Sequence, residues 1–227
     1  MKIGIIGPVD LELQPFLEKM RVYKKTTRSM LTFYEGTYAD KEVIAVRCGV
    51  CKVNAAVAAQ ILIDNFGADR IFVTGTAGGV YRSLKIGDTV IVSRSCYRDV
   101  APKILMEYHP NMSSVDMPCD PAIIDKIRIL DIKGKFKQKL HYGRIATGES
   151  FVEGEEWEVV EERYDALCVD METAGVAQVC YVNSIPYNAI RSITDCREEN
   201  GEGAFMANLP MAAANSVDVL CALLESL

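Results

Sequence analysis

Seven short runs of apolar, largely β-branched residues recur along the chain, at 2–6, 43–47, 70–74, 89–93, 142–147, 166–170 and 186–193, separated by longer stretches of helical period. Near-continuous apolar runs of this length fit strands buried on both faces. Their alternation with helices defines an α/β layer fold rather than a bundle or a sandwich. Between them, 52–66 sets Val53, Val57, Ile61 and Leu62 on one helical face, and 209–224 repeats the periodicity, so both predict core-facing helices. Glycines mark the ends of the runs, at Gly7, Gly49, Gly75 with Gly78 and Gly79, Gly87 and Gly148. Loops at the carboxyl ends of such strands form the ligand crevice of open α/β sheets, so chemistry is sought there first.

No period of 20–50 residues and no low-complexity tract interrupts the 227 residues, and one domain over 1–227 is expected. The polar, weakly periodic 102–121 stretch predicts a long loop, or an excursion packing on a neighbouring subunit. Gly201 to Gly203, after Arg197-Glu-Glu-Asn200, predicts a mobile loop. Pro210, Asn215 and Asp218 interrupt the last apolar segment and argue against a membrane span. With 25 basic against 31 acidic residues the net charge is −6, where a nucleic-acid binder carries a basic surplus. The eight cysteines follow an N-terminus whose apolar run is too short for a signal peptide, so a cytoplasmic protein with reduced thiols is expected. Cys48-Gly-Val-Cys51 has CxxC spacing but no second CxxC, and His109 and His141 lie far apart. The pair reads as small apolar residues in a packed turn, with no metal expected.

Four strand ends carry polar groups. Asp10 and Glu12 follow the first strand and open a helix, where capping by Asp10 and a favourable macrodipole explain them as well as catalysis does. Val73-Thr-Gly-Thr-Ala-Gly-Gly79 is a glycine-rich turn without the Lys-Ser/Thr pair of a P-loop; it offers close backbone approach and the Thr76 hydroxyl. Val169-Asp-Met-Glu-Thr-Ala-Gly175 has two carboxylates at a strand-to-helix junction where one suffices for capping. Arg191-Ser-Ile-Thr-Asp195 reads either as a surface ion pair or as part of a site. Glu12, Glu172 and Asp195 come from three strand ends with an arginine beside them, and one crevice can collect them all. Carboxylates that bind sugar hydroxyls, activate water and stabilise an oxocarbenium-like centre are the needs of glycoside cleavage.

These residues resemble the nucleoside phosphorylase/hydrolase superfamily, and within it the 5′-methylthioadenosine/S-adenosylhomocysteine nucleosidases. The likeness runs through Met1-Lys-Ile-Gly-Ile-Ile-Gly7 and Glu12, Gly49-Val-Cys-Lys-Val-Asn-Ala-Ala56, Thr74-Gly-Thr-Ala-Gly-Gly79, Ile86-Gly-Asp88, Thr147-Gly-Glu-Ser-Phe-Val152, Val169-Asp-Met-Glu-Thr-Ala174 and Arg191-Ser-Ile-Thr-Asp195. It implies a three-layer α/β/α fold with a central mixed sheet, a cytoplasmic homodimer, no cofactor, and hydrolytic release of adenine in methionine salvage. By the same resemblance Glu12 is the base that orients water, helped by Thr76 and Arg191. Glu172 and Met171 bind the ribose hydroxyls. Asp195, preceded by Thr194, protonates adenine N7, while Phe151 stacks on the purine, the Val152 backbone meets its edge and Gly78 completes the substrate-binding set.

Phosphorylases of this class carry arginines in the first loop and before the glycine-rich turn, because a phosphate dianion needs fixed positive charge. Here those places hold Asp10 with Glu12, and Val73 with Thr74, so water is the expected nucleophile. A nucleoside phosphorylase, or a nucleosidase for another 5′ substituent, is the alternative within the superfamily. The family's aromatic stretch reaching the partner's 5′ pocket is replaced here by Pro102, Lys103 and the apolar Ile104, Leu105 and Met106.

Overall fold

All seven apolar runs are strands of one mixed sheet in the computed structural model, which describes residues 1–101, 103–199 and 201–227. Pro102 of the 102–121 stretch and Asn200 before the 201–203 segment lie outside the described residues. In chain order the elements are β1 (Lys2–Gly7), α1 (Asp10–Leu17), β2 (Arg21–Arg28), β3 (Leu31–Tyr38), β4 (Lys41–Arg47), α2 (Lys52–Asp64), β5 (Arg70–Gly79), β6 (Thr89–Tyr97) and α3 (Ile104–Glu107). There follow β7 (Met117–Pro118), α4 (Pro121–Ile132), β8 (Leu140–Thr147), α5 (Glu156–Tyr164), β9 (Ala166–Asp170), α6 (Thr173–Asn183), β10 (Tyr187–Cys196) and α7 (Gly201–Ser226).

The strand order is β10-β6-β8-β9-β5-β1-β4-β3-β2, and β10 pairs with β5 as well, so five strands close into a ring at one end. Strands β4, β1, β5 and β10 run parallel, which brings their carboxyl ends together. Helices cover both faces, α1, α4 and α7 on one and α2 with α6 on the other, giving the expected three layers. The core runs from Ile3 and Ile5 through Phe72, Val73 and Ile190 to Leu220 and Leu224, all fully buried.

Several expectations need correction. The glycine-rich segment after residue 74 is no turn: β5 continues to Gly79, pairing with β10 throughout and with β9 at Gly78 and Gly79. The 201–203 segment is the first turn of α7 rather than a loop, and the 102–121 stretch contains α3 and β7. Helix α7 is long and apolar enough to cross a membrane, yet Leu209, Ala213, Leu220 and Leu224 are buried on β5, β10 and α1, as in a core helix. In α2 the buried face is Ala55, Ala58, Ala59 and Leu62, whereas Val53 and Val57 point outward. Small residues win that face because α2 and α6 pack closely, a Cβ on Gly175 falling 2.7 Å from the Lys52 carbonyl. The β2–β3 hairpin escapes the apolar pattern because β2 is mostly polar and exposed. All eight cysteines are free thiols, six of them buried. Burial pushes Cys96 up to about 11 and Cys119 and Cys180 up to about 12, so they act as small apolar filler.

Candidate active site

The chain leaves β1 through Pro8 and an extended Val9 and enters α1 at Asp10, so Val9 rather than Asp10 occupies the N-cap. Valine has no capping oxygen. Glu12, at the third helical position, instead reaches back so that its Oε2 accepts the Val9 N–H at 3.1 Å, while Asp10 turns outward to pair with Arg47 at 2.5 Å. The other carboxylate oxygen of Glu12 accepts the Thr76 N–H at 2.7 Å and the Thr76 hydroxyl at 2.8 Å. Burial raises the Glu12 pKa against the opposing pull of Arg191 and the Thr76 donors. This close meeting depends on Gly75: a Cβ there would stand 2.6 Å from Glu12 Oε1 and 2.8 Å from Arg191 Nη1. Behind it, the Ser216 hydroxyl of α7 accepts the Gly75 N–H at 3.0 Å and donates to the Ile190 carbonyl at 2.9 Å, tying β5 to β10.

Arg191 is wholly buried, which removes the surface ion-pair reading. Its Nη2 reaches Asp170 Oδ2 at 2.6 Å and Glu172 Oε2 at 3.2 Å, and its Nη1 donates to the Thr76 carbonyl at 3.3 Å. The two carboxylates after β9 divide the labour. Asp170 caps α6 through the Thr173 N–H at 2.9 Å and takes the Thr147 hydroxyl at 2.6 Å. Glu172 is thereby left to face the cavity, accepting the Cys51 N–H at 3.0 Å. Its pKa is pushed up to about 8, chiefly by burial, with Asp170 and Glu12 adding to the rise and Arg191 opposing it. A single guanidinium thus stands among three buried carboxylates.

Across the cavity, β10 bulges at Thr194 and presents Asp195 opposite Gly78. The Thr194 hydroxyl lies 2.7 Å from Asp195 Oδ1, and burial raises the Asp195 pKa. Gly78 keeps this floor open, since a Cβ would lie 3.1 Å from Trp157 and 3.2 Å from Asp195 Oδ2. Phe151 is half exposed at the rim, its ring edge-on to Phe205 at 5.8 Å, and Val152 is buried beside Trp157. The 148–152 loop is tethered by the Gly148 N–H on the Asp170 carbonyl at 3.0 Å, the Glu149 N–H on Asp99 at 3.0 Å, and Arg98 on Ser150.

These groups enclose a cavity of about 220 Å³ whose walls include Glu12, Thr76, Gly78, Phe151, Val152, Met171, Glu172, Thr194 and Asp195. Nine of the ten expected site residues line it, and Arg191 sits one layer behind them. Sequence reasoning missed the part played by Asp170 and the walls made by Val9, Val50, Trp157 and Phe205. Asp170 was visible as one of two carboxylates at a single junction, and nothing in their order says which one turns inward. The lone tryptophan lies in an acidic helix that no strand-end argument reaches.

Comparison with known proteins fits this architecture. The sequence profile of the phosphorylase superfamily matches residues 2–225, and the chain belongs to that superfamily. Over its whole length it is 31% identical to the 5′-methylthioadenosine/S-adenosylhomocysteine nucleosidase of Buchnera aphidicola subsp. Acyrthosiphon pisum (strain Tuc7), covering 99% of that relative. Among solved structures, the S-adenosylhomocysteine nucleosidase of Streptococcus pyogenes, in complex with 5-methylthiotubericidin, superimposes with a TM-score of 0.90 at 30% identity, covering 100% of this chain and 97% of that one. The futalosine hydrolase of Helicobacter pylori strain 26695 also superimposes with a TM-score of 0.90, at 27% identity, covering 100% and 98%.

Proposed function

We propose that the protein hydrolyses the N-glycosidic bond of 5′-methylthioadenosine and S-adenosylhomocysteine, releasing adenine and the 5′-thio-substituted ribose. One observation carries the reading: three buried carboxyl groups, Asp195 as acid, Glu12 as base and Glu172, line one cavity of about 220 Å³. Among the described residues the cavity wall contains no lysine or arginine, and Arg191 is already held by Asp170 and Glu172. A phosphate dianion would meet carboxylates there, whereas water would meet an acceptor.

The roles follow from chemistry. Adenine leaves poorly as an anion, so Asp195, whose hold on a proton burial strengthens, gives its proton to N7 as the bond to C1′ breaks and the bonding electrons pass to the base. Positive charge grows on the sugar, and Glu172 at the ribose hydroxyls stabilises it, as a carboxyl dipole while it holds its proton and with full charge once it ionises above about pH 8. Water attacks C1′ and gives a proton to Glu12, which Thr76 holds in place. Neutral adenine and the sugar hemiacetal result, and solvent exchange returns a proton to Asp195 and removes one from Glu12. Gly78, Thr194, Phe151 and Val152 form the purine end, while Met171 covers the ribose.

The working form is a homodimer. Val53, Val57, Tyr181 and Val182 of α2 and α6 leave an exposed apolar face beside Tyr97, Val100 and Leu105, and a second copy of the chain would cover it. Val53→Asp should shift sedimentation to the monomer; a monomeric parent protein would refute the assignment. The eight free thiols fit a reducing cytoplasm, and a reaction that frees the methionine-derived sulfur on its ribose belongs to methionine salvage.

The deciding assay incubates the protein with methylthioadenosine, S-adenosylhomocysteine, adenosine and inosine, with and without phosphate, and follows free base. Adenine should appear from the thioether nucleosides at a rate indifferent to phosphate. A ribose-1-phosphate product, or no adenine from either thioether, would overturn the reading.

A further inference from the structure

We propose that Asp10 and Arg47 form a rim subsite for the charged end of an amino-acid tail carried on the 5′ sulfur, an inference that rests on the nucleosidase function above. The cavity has a direction. Its purine end is built by β9 and β10 at Val169 and Asp195, and its ribose end by Glu172 and Glu12. A further stretch of wall, Pro8, Val9 and Val50, belongs to the turns after β1 and β4, farther along the sheet order β10-β5-β1-β4. A 5′ substituent, opposite the base on the sugar, leaves over this apolar wall toward solvent.

The ion pair stands next to that wall. Asp10 follows Val9 directly, and Arg47 ends β4 in register with Gly7. The two turns are stitched by the Cys48 N–H on the Gly7 carbonyl at 3.1 Å and the Gly49 N–H on the Pro8 carbonyl at 3.0 Å. Asp10 makes no capping bond at the start of α1, where it is Glu12 that reaches back to the Val9 N–H. Both side chains are open to solvent, 76% for Asp10 and 54% for Arg47, and neither has another side-chain hydrogen bond among the described residues.

Electrostatics gives the pair its use. Glu12, Asp170 and Glu172 surround a single, already committed guanidinium, and among the described residues no lysine or arginine lines the cavity, so it offers an approaching α-carboxylate no partner. Arg47 offers that carboxylate a planar fork, and Asp10 offers the α-ammonium an anion. The pair can open and re-form with the two charges of the zwitterion, an exchange that an uncharged methylthio group cannot make.

The test compares kcat/KM for S-adenosylhomocysteine, methylthioadenosine and a 5′-thioether adenosine analogue ending in an amine without a carboxylate. Arg47→Gln should lower the ratio of the homocysteine to the methylthio substrate by about three- to ten-fold, and Asp10→Asn should lower it less. The ratio for the amine analogue should stay within about two-fold in Arg47→Gln, and the wild-type preference for the zwitterion should fade as ionic strength rises. Wild-type ratios in both folded variants would overturn the subsite while leaving the nucleosidase reading intact, as would an amine analogue that loses as much as the zwitterion. Absence of adenine from every substrate would instead remove the nucleosidase reading, and the subsite with it.

Discussion

Gly75→Ala tests whether the placement of Glu12 governs turnover. The added methyl would lie 2.6 Å from Glu12 Oε1 and 2.8 Å from Arg191 Nη1, against an ordinary contact of at least 3.4 Å. The carboxylate must therefore retreat by roughly 0.8 Å, and it cannot swing freely because Val9 and Thr76 hold both its oxygens. A displacement of about 1 Å at a catalytic group is worth about 10² in rate. Stability should fall by about 1–3 kcal/mol, the usual cost of overpacking a filled interior. Single-turnover adenine release should then slow about a hundred-fold in a protein with native circular dichroism, while KM changes little because the purine end is untouched. Gly203→Ala, where an added Cβ meets nothing within 4 Å, is the control and should be silent. A folded Gly75→Ala protein with kcat within about three-fold of the parent would refute the idea that Glu12, held at this spot, is the base.

Asp170→Asn removes one of the carboxylates facing Arg191 and weakens the α6 cap; urea unfolding should show a loss of about 3–5 kcal/mol, with a fall in kcat. Phe151→Ala takes away a stacking face at the rim and should raise KM about 5- to 100-fold with little change in melting temperature. The native state binds a proton at Glu172 that the unfolded chain releases between its ordinary pKa near 4.5 and about 8. Stability should therefore decline as pH rises through that window, and Glu172→Gln should flatten the decline in urea midpoints; a slope unchanged by the substitution would contradict the assignment. Burial raises the pKa of both Glu12 and Asp195, so the kcat/KM profile should turn over at higher pH than free carboxylates would set, and limbs at ordinary carboxylate pKa values would contradict the buried acid and base.

The strands were legible because those buried on both faces announce themselves as apolar runs, and the strand-end argument then led to Glu12, Glu172 and Asp195 without coordinates. What escaped had physical reasons. Periodicity weights large apolar side chains, so it chose Val53 and Val57 in α2, whereas close approach to α6 is made by alanines and leaves the valines outside. Residues 75–79 carry too little side chain to be recognised as strand; their conformation comes from pairing with β10 and β9. The inward turn of Glu12 and the outward turn of Asp10 were hidden because both acids suit the start of a helix, and only the Thr76 donors decide which carboxylate turns inward.

The ring made by β5, β9, β8, β6 and β10 also bears on how the chain behaves in a crowded solution. A sheet has two margins where unpaired backbone can recruit another chain, and joining β10 to β5 abolishes one of them. Apart from two-residue β7, the open margin is β2, and there Arg21, Lys24, Lys25 and Arg28 stand exposed along the strand. Two copies meeting edge to edge would oppose these charges at close range. The hairpin that the apolar pattern overlooked is thus a guard against sheet extension, and its polarity, which made it hard to read as a strand, is what keeps ten strands from becoming twenty.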